Sequence, residues 1–360
     1  MKKVMIVVLI LCLVPMSVSA VSTGAESAIL VDQDSGRILY SKNATKQKLI
    51  ASTTKIMTAI LAIESGKLDR KVKVTDKVLK AYGSNIYIEV GEKLSLRDLV
   101  YGLMLRSGND AALMISEVCG KGEEKFVKKM NEKASQLGMT NTVFYNPHGL
   151  DEEAGNLSTA VDMSKLMSYA MKNKEFRKIT GTKNYQTKSD LKSYVWRNKN
   201  KLLHTYENAT GGKTGFTEKA RRTLVTSASK DGLNLVVVTL NDPSDFTDHK
   251  NLYEYGFDNF KRGLVIDKND VIQDDYYRDD RLYVKQDYYY PLKTNEEDLM
   301  HLKLRLEKKR FYKSNEKVGE MEVYFGEDLV HQEPIYVDKK QSQEPKKSVW
   351  TKIKDWFHGK

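Results

Sequence analysis

An α+β fold, with an antiparallel sheet flanked by helices and a small all-β domain after it, is predicted for this chain by three observations. Strand-like runs stand near both ends of residues 21–260, which read as the main domain. Apolar positions at helical spacing fill the stretch between them, and from about residue 261 short β-rich segments alternate with charged turns. A hydrophobic content of 40% beside 30% charge, in 360 residues, is that of a globular chain and excludes a disordered or collagen-like one.

Lys2 and Lys3 precede an apolar run from Val4 to Val14, then Pro15 and a small-residue exit at Val18-Ser19-Ala20. That is the pattern of a secretory signal peptide over residues 1–20, and the apolar core is shorter than the roughly 17–25 residues of a membrane span. Export removes nucleic acid from the expected partners. The formal net charge of +11 then points to an anionic envelope.

Ala28–Asp32 and Arg37–Ser41 flank a Gln33-Asp34-Ser35-Gly36 turn and read as a β-hairpin. Ser52–Glu64 is apolar almost all round, which suits a helix enclosed in a core. Helical spacing recurs at 96–105, 110–118, 123–137 and 158–171. A second hairpin is expected from Arg222–Ala228 and Leu233–Leu240 around Ser229-Lys-Asp-Gly232, with a covering helix over Asp248–Phe260. The small β domain spans 261–338, with strands expected at Leu282–Val284, Leu302–Leu306, Val318–Phe325 and Pro334–Val337. Residues 339–347 read as a polar linker, and Val349, Trp350, Ile353, Trp356 and Phe357 share one face of a final amphipathic helix over 348–360.

Of the two cysteines, Cys12 leaves with the signal, and Cys119 lies in an apolar pattern that suits a buried inert thiol. No disulfide is possible in the mature chain. No HExxH or CxxC spacing is present, so neither a metal nor a cofactor is expected.

Ser52-Thr-Thr-Lys55 places a hydroxyl and an amine one turn apart on the same helix face, where a desolvated amine can act as base toward the serine. The spacing is cheap, since Ser189–Lys192, Ser227–Lys230 and Ser314–Lys317 repeat it. Only Ser52 opens a long apolar helix. Ser107-Gly-Asn109 lies between two helical segments, and alone it would serve as a helix cap, as a second such pattern, Ser41-Lys-Asn43, suggests. Lys213-Thr-Gly215 follows Gly211-Gly212 just ahead of the second hairpin. Glycine there lets a substrate backbone approach an edge strand, while lysine and threonine offer a cation and a hydroxyl to a carboxylate.

The three motifs together, in this order, resemble the set of the low-molecular-mass penicillin-binding proteins, the serine-type D-alanyl-D-alanine carboxypeptidase family. The resemblance extends to Asn146-Pro-His-Gly-Leu-Asp151, Ser158-Thr-Ala-Val-Asp162 and Tyr255-Gly-Phe257. It implies a β-lactamase/transpeptidase-like fold and acyl transfer, in which Ser52 attacks the peptide bond between two D-alanines of a peptidoglycan stem and water releases the acyl-enzyme. It also implies β-lactams as inhibitors. By the same resemblance Lys55 deprotonates Ser52, and Ser107 and Lys213 relay a proton to the leaving amine. Asn109 holds the substrate amide, Thr214 with Lys213 binds the carboxylate, and Gly215 and Phe216 complete the substrate-binding strand. The backbone N–H groups of Ser52 and Phe216 would form the oxyanion hole.

The chain departs from the family where Asn241–His249 lacks the arginine that helps to bind the carboxylate, and Arg221 and Arg222 read as solvated charges. His148, in a Pro-Gly loop, is expected to bond locally and not to pair with a serine. Two other readings remain open. A β-lactamase needs a deacylating glutamate, and Glu153 does not reproduce that pattern; a non-catalytic wall-binding protein has no need of Ser52 and Lys55 together. The expected location is the extracytoplasmic face of the membrane, with the C-terminal helix held at its anionic surface.

Overall fold

Leu233–Leu240 carries Leu235, Val236, Val237 and Val238 in one run, and a strand of that composition must be covered on both faces. The computed structural model, which describes residues 21–151 and 154–339, shows that cover. Five strands, β1 (Ser27–Asp32), β2 (Ile38–Lys42), β3 (Ala209–Thr217), β4 (Arg221–Lys230) and β5 (Leu233–Leu240), form an antiparallel sheet in the order β2-β1-β5-β4-β3. Side chains alternate between its faces. Ile29, Val31, Val225, Val236 and Val238 join the core of the helical lobe, whereas Leu30, Leu224, Leu235 and Val237 pack with Leu252 and Tyr253 on the opposite side.

The helical lobe consists of α1 (Lys55–Glu64), α2 (Leu96–Arg106), α3 (Asn109–Gly120), α4 (Glu123–Gln136), α5 (Ala160–Lys172) and α6 (Lys174–Gly181). α1 is enclosed, with eight of its ten residues buried. α2 starts at a capping box between Ser95 and Asp98. The Ser158–Asp162 motif proves to be a helix start: Thr159 Oγ1 accepts the N–H of Asp162, whose carboxylate accepts Asn141 N–H at 2.8 Å. The second face is covered by α7 (Asp245–Asn259), where buried His249 and Tyr253 share the hydroxyl of Thr226. Burial pushes the His249 imidazole down to about 3, so it is neutral.

Beyond α7, β6 (Asp280–Tyr283), β7 (Met300–Leu306), β8 (Glu316–Phe325) and β9 (Asp328–Lys339) form a four-stranded antiparallel sheet in the order β6-β9-β8-β7. Lys261–Ile266 pairs beside it with Tyr288–Leu292. Arg37, from the turn between β1 and β2, reaches across to this β-rich part. Its guanidinium donates to both carboxylate oxygens of Glu296 at 2.9 Å and to Pro291 O at 2.5 Å, and lies 4.3 Å from the centre of the Phe325 ring.

Both expected hairpins, the enclosed helix and the four later helices form. Ser52 itself lies in a 3₁₀ turn, Ala51–Thr54, that precedes α1. The hairpin Asn184–Lys188/Ser193–Arg197, helix α6, strand β3 and the Lys261–Ile266/Tyr288–Leu292 pair were not anticipated. Cys119 is buried and free, and burial raises its thiol. Lys339, the first residue of the expected linker, pairs with Asp280. The signal peptide, Glu153, the rest of the linker and the amphipathic helix lie outside the described residues. Among the described residues no helix is long and apolar enough to cross a membrane, and no cluster of His, Cys, Asp and Glu could hold a metal ion.

Candidate active site

Three parts of the chain come together here: the 3₁₀ turn at the head of α1, the start of α3, whose Asn109 reaches Lys55 Nζ, and β3, whose Gly215 runs against the 3₁₀ turn. The first turn is tied down on two sides. Thr223 Oγ1, on β4, donates to Ile50 O at 3.1 Å. Asn156 donates to Thr54 Oγ1 at 2.9 Å, accepts the N–H of Tyr145 at 2.7 Å, and through its carbonyl accepts the N–H of Ile50 at 3.2 Å.

Lys55 is fully buried, and its Nζ lies 2.9 Å from Ser52 Oγ, 2.7 Å from Asn109 Oδ1 and 2.6 Å from His148 O. A neutral amine has two hydrogens and one lone pair. Donating to Asn109 and His148 leaves the lone pair for the Ser52 hydroxyl proton. Burial, then the charges of Lys213 and Lys199, hold the Lys55 amine well below the usual lysine range.

Ser107 ends α2 in a left-handed conformation, φ 68°, and Gly108, not Ser107, caps α3. This turn carries Ser107 and Asn109, both buried, and Asn109 reaches Lys55 Nζ. Lys213 is buried on β3 and its Nζ donates to Thr214 O at 2.7 Å. Burial, helped by Lys199, brings the Lys213 amine down to about 7. Thr214 is half-buried and Phe216 stands 61% exposed at the rim.

Gly215 has a packing reason. A Cβ there would lie 2.3 Å from Thr223 Oγ1 and 3.0 Å from Ser52 N, so only glycine lets β3 run this close to the Ser52 turn. Gly149 is needed for the same kind of reason at φ +90°, since a Cβ would lie 2.0 Å from Ala51 O. Gly149→Ala is therefore expected to cost roughly 2–5 kcal/mol of stability and to slow acylation of whatever protein still folds, checked by urea unfolding and by adduct formation.

His148 bonds locally: Nδ1 accepts Leu150 N–H at 3.2 Å, and burial holds the ring neutral, down to about 3. Arg222 departs from the expected solvated charge, because its guanidinium donates to Asp245 Oδ1 at 2.6 Å. Of the spare Ser-x-x-Lys patterns, Ser189–Lys192 closes a hairpin turn and Ser227–Lys230 lies within β4. Sequence reasoning missed Asn156, Thr180 and Lys199. Thr180 grips Gly212 through both its N–H and its carbonyl, at 2.9 and 3.0 Å, and the Lys199 charge bears on both Lys55 and Lys213. None of the three sits in a motif; each is defined by distant partners.

A serine against a buried amine, with a second serine and a second buried lysine at a sheet edge, defines the acyl-serine enzymes that penicillin recognises. The chain belongs to the D-alanyl-D-alanine carboxypeptidase family, whose description fits residues 14–244, and residues 260–343 match the C-terminal domain of penicillin-binding protein 5. It is 39% identical over 222 residues to the D-alanyl-D-alanine carboxypeptidase DacF of Bacillus subtilis, a match covering 59% of this chain and 56% of that protein. It is 34% identical to a D-alanyl-D-alanine carboxypeptidase of a Streptomyces species, over 67% of this chain and 90% of the relative. Among solved structures, penicillin-binding protein 5 of Haemophilus influenzae shares the fold over 90% of this chain and 99% of its own, with a TM-score of 0.75 at 24% identity.

Proposed function

We propose that the protein removes the terminal D-alanine from peptidoglycan stem pentapeptides through an acyl-enzyme on Ser52. The observation that carries this reading is the buried Lys55 amine, 2.9 Å from Ser52 Oγ and held below the usual lysine range. Neutral Lys55 takes the Ser52 proton as Oγ attacks the carbonyl carbon of the penultimate D-alanine. The developing oxyanion is held by the N–H groups of Ser52 and Phe216. Collapse breaks the C–N bond, and the leaving amine receives a proton through Ser107 and Lys213. Water then hydrolyses the ester, with Lys55 again as the base. Asn109 holds the substrate amide, and Lys213 with Thr214 holds the terminal carboxylate.

The test is incubation with a labelled β-lactam and mass spectrometry of the adduct. A slowly hydrolysed adduct on Ser52 is expected; no adduct, or one elsewhere, would remove the assignment, and fast turnover would favour a β-lactamase. Lys213→Ala is expected to lose about 10-fold more activity on a peptide ending in D-Ala-D-Ala than on its amidated analogue, because a cation beside the carboxylate matters most when that charge is present. Equal losses would restrict Lys213 to proton transfer.

Residues 1–20 direct export in this reading, and the enzyme works at the extracytoplasmic face of the membrane. The apolar face of Val349, Trp350, Ile353, Trp356 and Phe357, with Lys346, Lys347, Lys352, Lys354 and Lys360 around it, holds it to anionic lipid. Deleting Val349–Lys360 is expected to release the mature protein from membranes with activity on soluble peptides intact, as fractionation would show. Continued sedimentation with membranes would place the attachment elsewhere.

A further inference from the structure

Asp110 follows Asn109 directly, has no part in the acyl-transfer scheme, and is buried at 3% exposure. Among the described residues no side-chain cation meets its carboxylate; backbone amides do. It accepts Ile86 N–H at 3.0 and 3.1 Å, one to each oxygen, Ile88 N–H at 3.3 Å, and Ala111 N–H at 2.8 Å in the first turn of α3. Burial raises the carboxyl and these N–H groups oppose that rise. Residues 82–88 have no regular structure, so their amides depend on such partners.

Further bonds join this loop to the same turn. Asn109 N–H donates to Ser84 O at 2.7 Å, Asn109 Nδ2 donates to Tyr82 O at 2.6 Å, and Asp110 N–H donates to Asn85 Oδ1 at 3.2 Å. Lys199 Nζ, the charge that bears on both buried lysines, donates to Ser84 Oγ at 3.1 Å. A loop displaced from Asp110 would therefore release the side-chain amide of Asn109, whose other end holds Lys55 Nζ. The fit is close: a Cβ on Gly108 would lie 2.8 Å from Asp110 Oδ1 and 3.0 Å from Ile86 Cγ2.

We propose that Asp110 is a positioning residue for acylation, its carboxylate fixing the 82–88 loop and, through that loop, the Asn109 amide against Lys55. It acts on Lys55 by charge as well. Lys213 from β3 and Lys199 from the segment after Ser193–Arg197 bear on the amine and lower it, the His148 ring beside it is neutral, and Asp110 from α3 opposes the two lysines. The Tyr194 hydroxyl, on which the Asp110 charge also bears, donates to buried Glu92 at 2.7 Å and is kept protonated by burial. The inference rests on Ser52 as nucleophile and Lys55 as its base.

The experiment compares the full chain with Asp110→Asn, which keeps the shape and removes the charge. Penicillin acylation is followed by intact mass across the neutral pH range, and amide hydrogen exchange is read in parallel. The variant is expected to acylate about 10- to 100-fold more slowly, with exchange raised at Ile86 and Ile88 but not in β5. The sign of the pH effect is fixed: loss of a nearby negative charge favours the neutral amine, so the midpoint of the acylation limb moves to lower pH.

An unchanged rate and midpoint would overturn the proposal. So would a slower rate with an unmoved midpoint and exchange raised throughout β5, which is what a general loss of stability gives. If the variant does not fold, Asn85→Ala takes its place, removing the bonds to Asp110 N–H and Ala81 O and leaving the charge. It is expected to slow acylation and raise exchange at 82–88 with the midpoint unmoved, and a wild-type rate would overturn the proposal. A wild-type chain that forms no Ser52 adduct would sink the nucleophile assignment itself, whereas a normal wild-type adduct beside an unaltered variant would sink only the role of Asp110.

Discussion

Ser52→Ala is expected to lose at least about 10⁴-fold in kcat/KM on a D-Ala-D-Ala peptide and to give no covalent β-lactam adduct, while unfolding at the wild-type temperature. The size follows from the geometry. Oγ is the atom 2.9 Å from the buried Lys55 amine, where β3, through Gly215, runs close to the backbone nitrogens of Ser52 and Thr53. In the proposed reaction, removing Oγ removes the bond-forming atom and leaves the surrounding donors in place. Ser52 is only half-buried and the turn is held by Thr223 and Asn156, so the fold does not depend on the hydroxyl. Binding without acylation can then persist in the variant. The measurement is intact mass after β-lactam exposure together with peptide kinetics, and an adduct that survives the substitution would assign the nucleophile to another residue.

Lys55→Arg carries the second large effect, expected at about 10²–10⁴-fold in acylation rate. The substitution supplies donors for Asn109 Oδ1 and His148 O but on a group that cannot lose its proton. Loss of rate with the fold intact therefore reports base function and not loss of those two hydrogen bonds. The pH profile gives a second check. In the wild-type chain the limb assigned to Lys55 lies below the usual lysine range, because burial and the charges of Lys213 and Lys199 disfavour the ammonium form. Acylation is expected to rise as that amine deprotonates, and Lys55→Arg should leave no such limb. A variant that acylated at the wild-type rate would give the role of base to Lys213, whose amine is brought down to about 7.

Much of this architecture was legible in the sequence where one element carries its own signal. The central helices show it in their apolar spacing, and β4 and β5 in β-branched runs around a glycine turn. The three motifs were legible because each sits at an element end, where a loop can aim a side chain. What was not legible depends on partners far along the chain. β3 reads Ala-Thr-Gly-Gly-Lys-Thr-Gly-Phe-Thr, a poor strand by composition, and is a strand because β4 pairs with it and Thr180 holds Gly212. The Asn184–Lys188/Ser193–Arg197 hairpin breaks its own alternation, with polar Thr187 on the covered face and apolar Val195 on the exposed one. Asn156 lies 102 residues from the Thr54 hydroxyl it steadies, and no local pattern marks such a bond. Arg222 read as a solvated charge because its partner, Asp245, belongs to another element.

Composition divides the chain near residue 260, as though two modules had been joined end to end. Arg37 crosses that seam. Its guanidinium belongs to the β1–β2 turn by sequence but finds its carboxylate, its carbonyl and an aromatic face among residues 291–325. A catalytic half excised after Phe260 would keep every residue of the cleft and yet strand a cation that had been 12% exposed, beside a freshly bared ring. The halves are thus not interchangeable parts. Grafting this β-rich unit onto another enzyme, or exchanging it for a relative's, would leave the guanidinium and its receptors unmatched unless both sides were carried over together.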